Sequence, residues 1–329
     1  MLKISILSRE KDLYGSEIKV IEQTEEFSVY KMESDGGEGV MTSYQVFPGI
    51  ELLYNDFHMG NCFNNKRPCY DIMEINHCRQ GRFECDFDNG SYVYLEEGDL
   101  SVNMLGNRTK NSCFPLEHYY GVSVLIDLSE AANSISSVLN DISIDLYGLR
   151  DKLCFNNQCF IMRAKDSVEH IFSELYTVPD KVKYGYFKLK VLELLLFLSV
   201  VDLSDNKNER QYFHKSQVEI VKSIKEYMIC NLEYHYTLNE LSSHFCIPLT
   251  AMKLCFKGVY GTSIYAFMRS YRMQAAAVLL CEGKESVTAI ANKVGYINSS
   301  KFAFAFKQVM GMSPLEYRKT NHLNGAICD

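Results

Sequence analysis

The chain has 329 residues, of which 47% are hydrophobic and 23% charged, with 34 Lys and Arg against 41 Asp and Glu. That length suffices for two or three domains with cores of their own, and the acidic balance argues against a general nucleic-acid coat. The charge is unevenly divided: residues 1–216 carry 22 basic and 33 acidic side chains, residues 217–329 carry 12 and 8, so the C-terminal third stays open to specific DNA binding.

The opening "MLKISILSREKD" is charged throughout and does not read as a signal peptide. The longest apolar run, Val191 to Val201, is interrupted by Glu193 and is too short to span a bilayer, so no membrane partner is expected. The 12 cysteines are scattered without a CxxC pair, which favours reduced thiols over a disulfide scaffold and a cytoplasmic location.

From Phe47 to Cys113 apolar and polar residues alternate between Gln80-Gly81, Asn89-Gly90 and Glu97-Gly98-Asp99. Asn89-Gly90 is the strongest hairpin signal, because a type I′ turn needs positive φ at both central residues. Strands at this spacing predict a small antiparallel barrel or sandwich. After Asp166 the period becomes helical; Tyr184 to Leu203 is apolar around most of its circumference, which suits either a subunit or interdomain contact or burial in its own core. Asp202 to Gln211 is polar and reads as a linker.

The last third repeats itself. Leu238 to Phe245 align with Val287 to Val294 at an offset of 49, and Met252 to Ser263 align with Phe302 to Ser313 at an offset of 50, so the second copy has gained one residue in its turn. Each copy has the pattern of a helix-turn-helix. In the second, Gly295 can take the left-handed turn conformation, Asn298, Ser299 or Ser300 can cap the next helix, Phe302, Phe306 and Val309 fall on its buried face, and Lys301, Phe304, Lys307 and Gln308 fall outside. On pattern alone an ordinary helical hairpin with solvated lysines fits equally well.

The stretch "IANKVGYINSSKFAFAFKQVMGMSPLEYRK" (Ile290 to Lys319) resembles the signature of the AraC/XylS family of bacterial transcription regulators, matching at Ile290, Ala291, Val294, Gly295, Tyr296, Ser300, Phe302, Phe306, Lys307, Gly311, Ser313, Pro314, Tyr317 and Arg318. "YRMQAAAVLL" (Tyr271 to Leu280) resembles the helix that links the two units in that family, and details around it resemble the branch containing siderophore-linked regulators. The resemblance implies that both second helices enter successive major grooves of double-stranded DNA. Carried over by position, the DNA-facing residues are Thr250, Ala251, Lys253, Leu254 and Lys257 in the first unit and Ser299, Ser300, Lys301, Phe304 and Lys307 in the second. Arg269, Arg318 and Lys319 are weaker candidates. Family members often carry Arg where Leu254 and Phe304 stand. These two either pack against a neighbouring helix or touch thymine methyls.

More weakly, "EINHCRQGRFECDFDNGSYVYLEEGDLSV" resembles the cupin-like barrel that precedes the DNA-binding part in many such regulators. This implies an α+β chain: a cupin-like sensor over 1–165, a helical connector and possible dimerisation element over 166–205, a linker over 206–216, an all-α double helix-turn-helix domain over 217–320 and a tail over 321–329. It further implies a small-molecule effector of unknown identity, a homodimer and a contact with RNA polymerase. A barrel that serves only dimerisation or a protein partner is the alternative. Pocket residues are not assignable. There is no His-x-His; His77 stands alone near Glu74, and His58 and His118 are far apart, so neither a metal nor another cofactor is expected. With no G-x-S-x-G, P-loop or HExxH either, the chain does not read as an enzyme.

Overall fold

A computed structural model describes residues 18–34, 36–64, 71–86, 91–107, 111–138, 144–155, 158–164, 166–203 and 212–323. The chain divides into two compact units, residues 1–212 and 213–329.

The first unit is built on β1 (Lys19–Gln23), β2 (Phe27–Ser34), β3 (Gly37–Phe47), β4 (Ile50–Met59), β5 (Asn61–Asn64), β6 (Ile72–Gly81), β7 (Phe83–Asp86), β8 (Ser91–Leu95), β9 (Leu100–Met104), β10 (Asn111–Cys113), β11 (Tyr119–Asp127) and β12 (Phe160–Met162). The large sheet runs β1-β2-β3-β4-β11-β6-β9-β12, and in the smaller one β8, β7, β10 and β5 are neighbours in that order. All these pairings are antiparallel. The large sheet is open, its described ladder ending at β1 and β12, and it faces the smaller sheet, the sandwich of the two arrangements the spacing predicted. The β7–β8 register, Phe83 opposite Leu95 and Asp86 opposite Tyr92, brackets the expected Asn89-Gly90 turn, which itself lies outside the described residues.

Strand alternation sorts the large sheet's side chains onto two buried faces. On one, Leu52, Ile75, Val102, Val124 and Phe160 pack against four helices, α1 (Leu128–Val138), α2 (Leu146–Leu153), α3 (Asp166–Leu175) and α4 (Lys183–Val200). On the other, Met41, Leu53, Phe57, Leu125 and Ile161 meet Phe83, Val93 and Leu95 from the smaller sheet. The Gly-Asp turn seen in the sequence clamps this arrangement. Gly98 has φ +84, and buried Asp99 accepts from the backbone N–H of Glu96 and of Ala164 and pairs with Arg163.

The apolar helix whose role the sequence left open is α4, and it belongs to this core. Phe187, Val191, Leu194, Leu195 and Leu198 are buried against the sheet, with the Phe187 ring 5.0 Å from Tyr44. Its opposite stripe, Leu189, Leu196 and Val200, is exposed. Most of the expected linker, 204–211, lies outside the described residues. Among the described residues no helix is long and apolar enough to cross a membrane.

The second unit is helical: α5 (Lys215–Ile229), α6 (Leu238–His244), α7 (Leu249–Tyr260), α8 (Ile264–Glu282), α9 (Val287–Lys293), α10 (Ser299–Met310) and α11 (Pro314–Leu323). The pairs α6/α7 and α9/α10 are the two sequence repeats, and α8 joins them.

Candidate nucleic-acid interface

The repeat is reproduced cap by cap. Thr237 opens α6 with a capping box to Glu240, and Ser286 opens α9 by accepting from the N–H of Ala289. Gly261 and Gly311, 50 residues apart, end α7 and α10 in the left-handed conformation. Ser263 and Ser313 then cap the next helices. Such caps satisfy the free backbone groups that every helix terminus leaves.

The turns differ in one residue, and backbone hydrogen bonds locate it. In the first, the N–H of Ile247 donates to Ser242 O at 3.1 Å; in the second, that of Tyr296 donates to Ala291 O at 2.8 Å. These bonds match at an offset of 49, whereas the N-cap residues Pro248 and Asn298 match at 50. The extra residue is therefore Ile297, whose side chain is 98% exposed. Of the three candidate caps, Asn298 is the one used: its Oδ1 accepts from the N–H of Lys301 at 2.9 Å.

Both second helices bury one face and present the other. Met252, Cys255, Phe256 and Val259 of α7 are buried, as are Phe302, Ala305 and Phe306 of α10, which pack on Met273, Ala276 and Leu280 of α8. Truncating such a buried phenylalanine typically costs about 3–5 kcal/mol, so these faces are fixed in place. Val309, expected inside, is 37% exposed, because it lies on the far edge of the buried arc.

Of the ten residues picked out from the sequence, Thr250, Lys253, Leu254, Lys257, Ser300, Lys301, Phe304 and Lys307 are exposed and Ala251 and Ser299 half-buried. Leu254 is 52% and Phe304 67% exposed, so neither is buried against a neighbouring helix, one of the two placements the sequence allowed. No described carboxylate is ion-paired with Lys253, Lys257, Lys301 or Lys307. Arg318, by contrast, is half-buried and donates to Glu285 O at 2.7 Å, which gives it a structural task.

A connection between the two helix-turn-helix repeats was invisible in the sequence. Buried Arg272 of α8 donates through Nε to Leu232 O (3.1 Å), through Nη2 to Tyr234 O (2.8 Å) and through Nη1 to His235 Nδ1 (2.9 Å). With Nδ1 accepting, the ring proton sits on Nε2, which donates to Gly295 O at 2.7 Å. The chain of bonds thus runs from the linking helix, through the segment before the first unit, to the turn of the second. Gly295 has φ +85, and a Cβ there would meet Leu232 O at 2.9 Å, so the turn approaches closely only as glycine. Burial raises the Tyr296 hydroxyl beside this junction, and it lowers Arg272.

A repeated helix-turn-helix with caps, a linking helix and two outward basic faces is the arrangement the comparisons with known proteins match. A family model described as "Helix-turn-helix domain" covers residues 241–320. A protein described as an AraC-like transcription regulator in Streptomyces antibioticus is 31% identical over 100 residues, 30% of this chain and 33% of that one. The C-terminal unit is similar to AraC-like transcription regulators. Thermoregulatory protein LcrF of Yersinia pestis is 25% identical over 259 residues, covering 71% of this chain and 82% of LcrF. Among solved structures, the C-terminal domain of AraT, a response regulator from Geobacillus stearothermophilus, is 29% identical with a TM-score of 0.30, covering 31% of this chain and 84% of that one. The chain spans about a third or less of the length of the two Streptomyces relatives, 33% and 28%. Both Streptomyces relatives are described as transcription regulators.

The first unit holds one arrangement that sequence reading missed. Asp56, His58 and His118 offer ligand atoms that all lie within 4.8 Å of one another. His77, by contrast, is fully buried, stacked 4.0 Å from Phe172 and 3.3 Å from the Tyr176 hydroxyl.

Proposed function

We propose that this protein is a sequence-specific transcription regulator that inserts α7 and α10 into the major groove of double-stranded DNA, and that a small-molecule effector held by the first unit modulates that binding. The DNA half rests on one observation: Leu254 and Lys257 on α7 recur at the offset of 50 as Phe304 and Lys307 on α10, with Lys253 and Lys301 beside them, all exposed on helices whose opposite faces are buried. Lysines there neutralise phosphates and release counterions. Thr250 and Ser300 bring hydroxyls to base edges, and Leu254 and Phe304 supply apolar contact for thymine methyls. Ala251 and Ser299 border these positions.

The effector half rests on polar groups inside an otherwise apolar layer. Between the sheets, Asn55 Nδ2 donates to Ser123 Oγ (2.8 Å), and Asn76 Oδ1 accepts from Ser123 Oγ (3.3 Å) and Tyr119 Oη (2.7 Å). Such a network can exchange partners with a polar ligand. The alternative is a first unit that only self-associates. It draws on the exposed Leu189, Leu196 and Val200 stripe of α4, which also supports a homodimer that makes binding at two sites effectively intramolecular.

The test is fluorescence anisotropy of the full-length protein on DNA tiled across its own gene and neighbouring promoters, at two salt concentrations, with excess random-sequence competitor. The expected result is one fragment that survives competition, with log K falling against log salt at a slope of about −4 to −5 for roughly four to six neutralised phosphates. Equal binding to every fragment, lost together in the higher salt by both the full chain and residues 213–329, would defeat the proposal. On the surviving fragment, an effector shifts affinity or preferred spacing, and a protein without one is indifferent to every compound tested.

A further inference from the structure

The register of β4 against β11 assembles three ligand-bearing side chains at one end of the large sheet. Tyr119 pairs with Phe57 and Tyr120 with Asp56, so His118, the residue before β11, falls opposite His58. Asp56 and His58 stand two apart on β4 and share a face; both are exposed, while Phe57 between them and Met59 beyond are buried. His58 Nε2 is 3.1 Å from Asp56 Oδ1, and the two imidazole rings are 5.0 Å apart. On the other side, Glu38 of β3 pairs in register with His58 but is already engaged by Lys31 at 2.8 Å.

The third ligand is held from behind. Phe114 N donates to Gly60 O at 2.9 Å, and Glu117 N donates to Phe114 O at 2.9 Å, which closes the turn leading into His118. The Phe114 ring stacks 5.0 Å from Phe57 and 5.1 Å from Tyr119, locking that turn onto the two strands that carry the ligands. Within it Glu117 adopts φ +58, a conformation non-glycine residues keep only where their surroundings enforce it, and one found repeatedly beside ligand sites.

We propose that Asp56, His58 and His118 form a binding site for a divalent first-row transition-metal ion. Two imidazole nitrogens and one carboxylate oxygen suit zinc, nickel, cobalt or copper, and do not suit calcium or magnesium, which take oxygen ligands. The ion replaces the direct His58–Asp56 contact by bonds from each to the metal, and solvent completes its coordination. The site lies at an exposed end of the helix-covered face of the large sheet, on the opposite face from the polar network between the sheets.

The probe is Co2+ titrated into the reduced full-length protein and followed by visible absorption. A nitrogen- and oxygen-ligated ion gives d–d bands without the sulfur-to-metal charge transfer that any of the cysteines would produce. The expected result is one such equivalent, weakened more than tenfold by His58→Ala or by His118→Ala, since even changes to the groups supporting a ligand shift affinity about 10–100-fold. Asp56→Asn should weaken it and change the d–d envelope. Because Asp56 and His58 are exposed, the metal-free melting of these variants serves as the folding control. Unchanged binding in the His58→Ala/His118→Ala double variant, or binding only with charge-transfer absorption, overturns the proposal and leaves an ordinary surface His–Asp pair.

Discussion

Leu254 and Phe304 are the residues at which an AraC-type reading of this chain is most its own. Large apolar side chains that stand 52% and 67% exposed on the outer faces of α7 and α10 gain nothing from the fold. In the proposed docking they would meet the thymine methyl, the apolar mark on a base edge. Leu254→Ala/Phe304→Ala should therefore lose about 1 kcal/mol of A·T preference at each contacted position while the salt dependence stays the same, because the lysines remain. Competition with operators carrying uracil for thymine measures it: the wild type should discriminate, the double variant should not. An equal loss of affinity for all sequences would assign both residues to shape alone. The outward placement of these positions was legible from the repeat and ~100° of rotation per residue. The commitment of Arg318 to the Glu285 carbonyl was not, because the two are 33 residues apart and meet only once α9 and α10 have turned the chain back.

At the scale of the element, the two helix-turn-helix units are unequal in their turns. Where the second uses Gly295 at φ +85, the first places Cys246 at φ +50, a left-handed conformation that strains any residue with a Cβ. Cys246→Gly should stabilise the C-terminal unit by about 0.5–1 kcal/mol, the relief of strain less the extra freedom glycine gains in the unfolded chain. Gly295→Ala should destabilise it by more, since the added methyl meets Leu232 O and Glu233 O. Chemical denaturation of residues 213–329 followed by helical circular dichroism reads both; the same sign for the two substitutions would refute this account. Caps, repeats and glycine turns were legible because they are local. That an extra residue existed was legible from the change in offset, but its identity as Ile297 was not, because only the backbone bonds of Ile247 and Tyr296 show where the two turns part.

Across the whole molecule, long-range assembly decides what the sequence leaves open. His77 read as an isolated histidine near Glu74; register and the packing of α3 bury it fully against Phe172 and Tyr176. Burial, reinforced by the charge of Arg79, lowers its pKa from 6.5 to about 3. The folded unit thus holds a neutral ring that the unfolded chain would protonate. Its contribution to stability is complete above about 6.5 and is lost as the pH falls toward about 3, at no more than ~1.4 kcal/mol per pH unit. The melting temperature of the first unit should fall on acidification below about 6.5, and His77→Phe, which keeps the stack on Phe172, should flatten that fall. An unchanged slope would assign the acid sensitivity to other groups. His58 and His118, likewise far apart in sequence, became neighbours for the same reason, since sixty residues of chain carry no record of which strands will pair.

The position of α4 bears on where this chain can be divided. Composition invites a boundary at the change from strands to helices, yet Phe187, Val191, Leu194, Leu195 and Leu198 cover one face of the large sheet. A fragment that stopped ahead of Lys183 would bare that face, a contiguous apolar surface of the kind that drives aggregation. A swap of N-terminal units between relatives therefore has to carry α4 with the strands it covers and make its junction beyond Val200, where the helix ends.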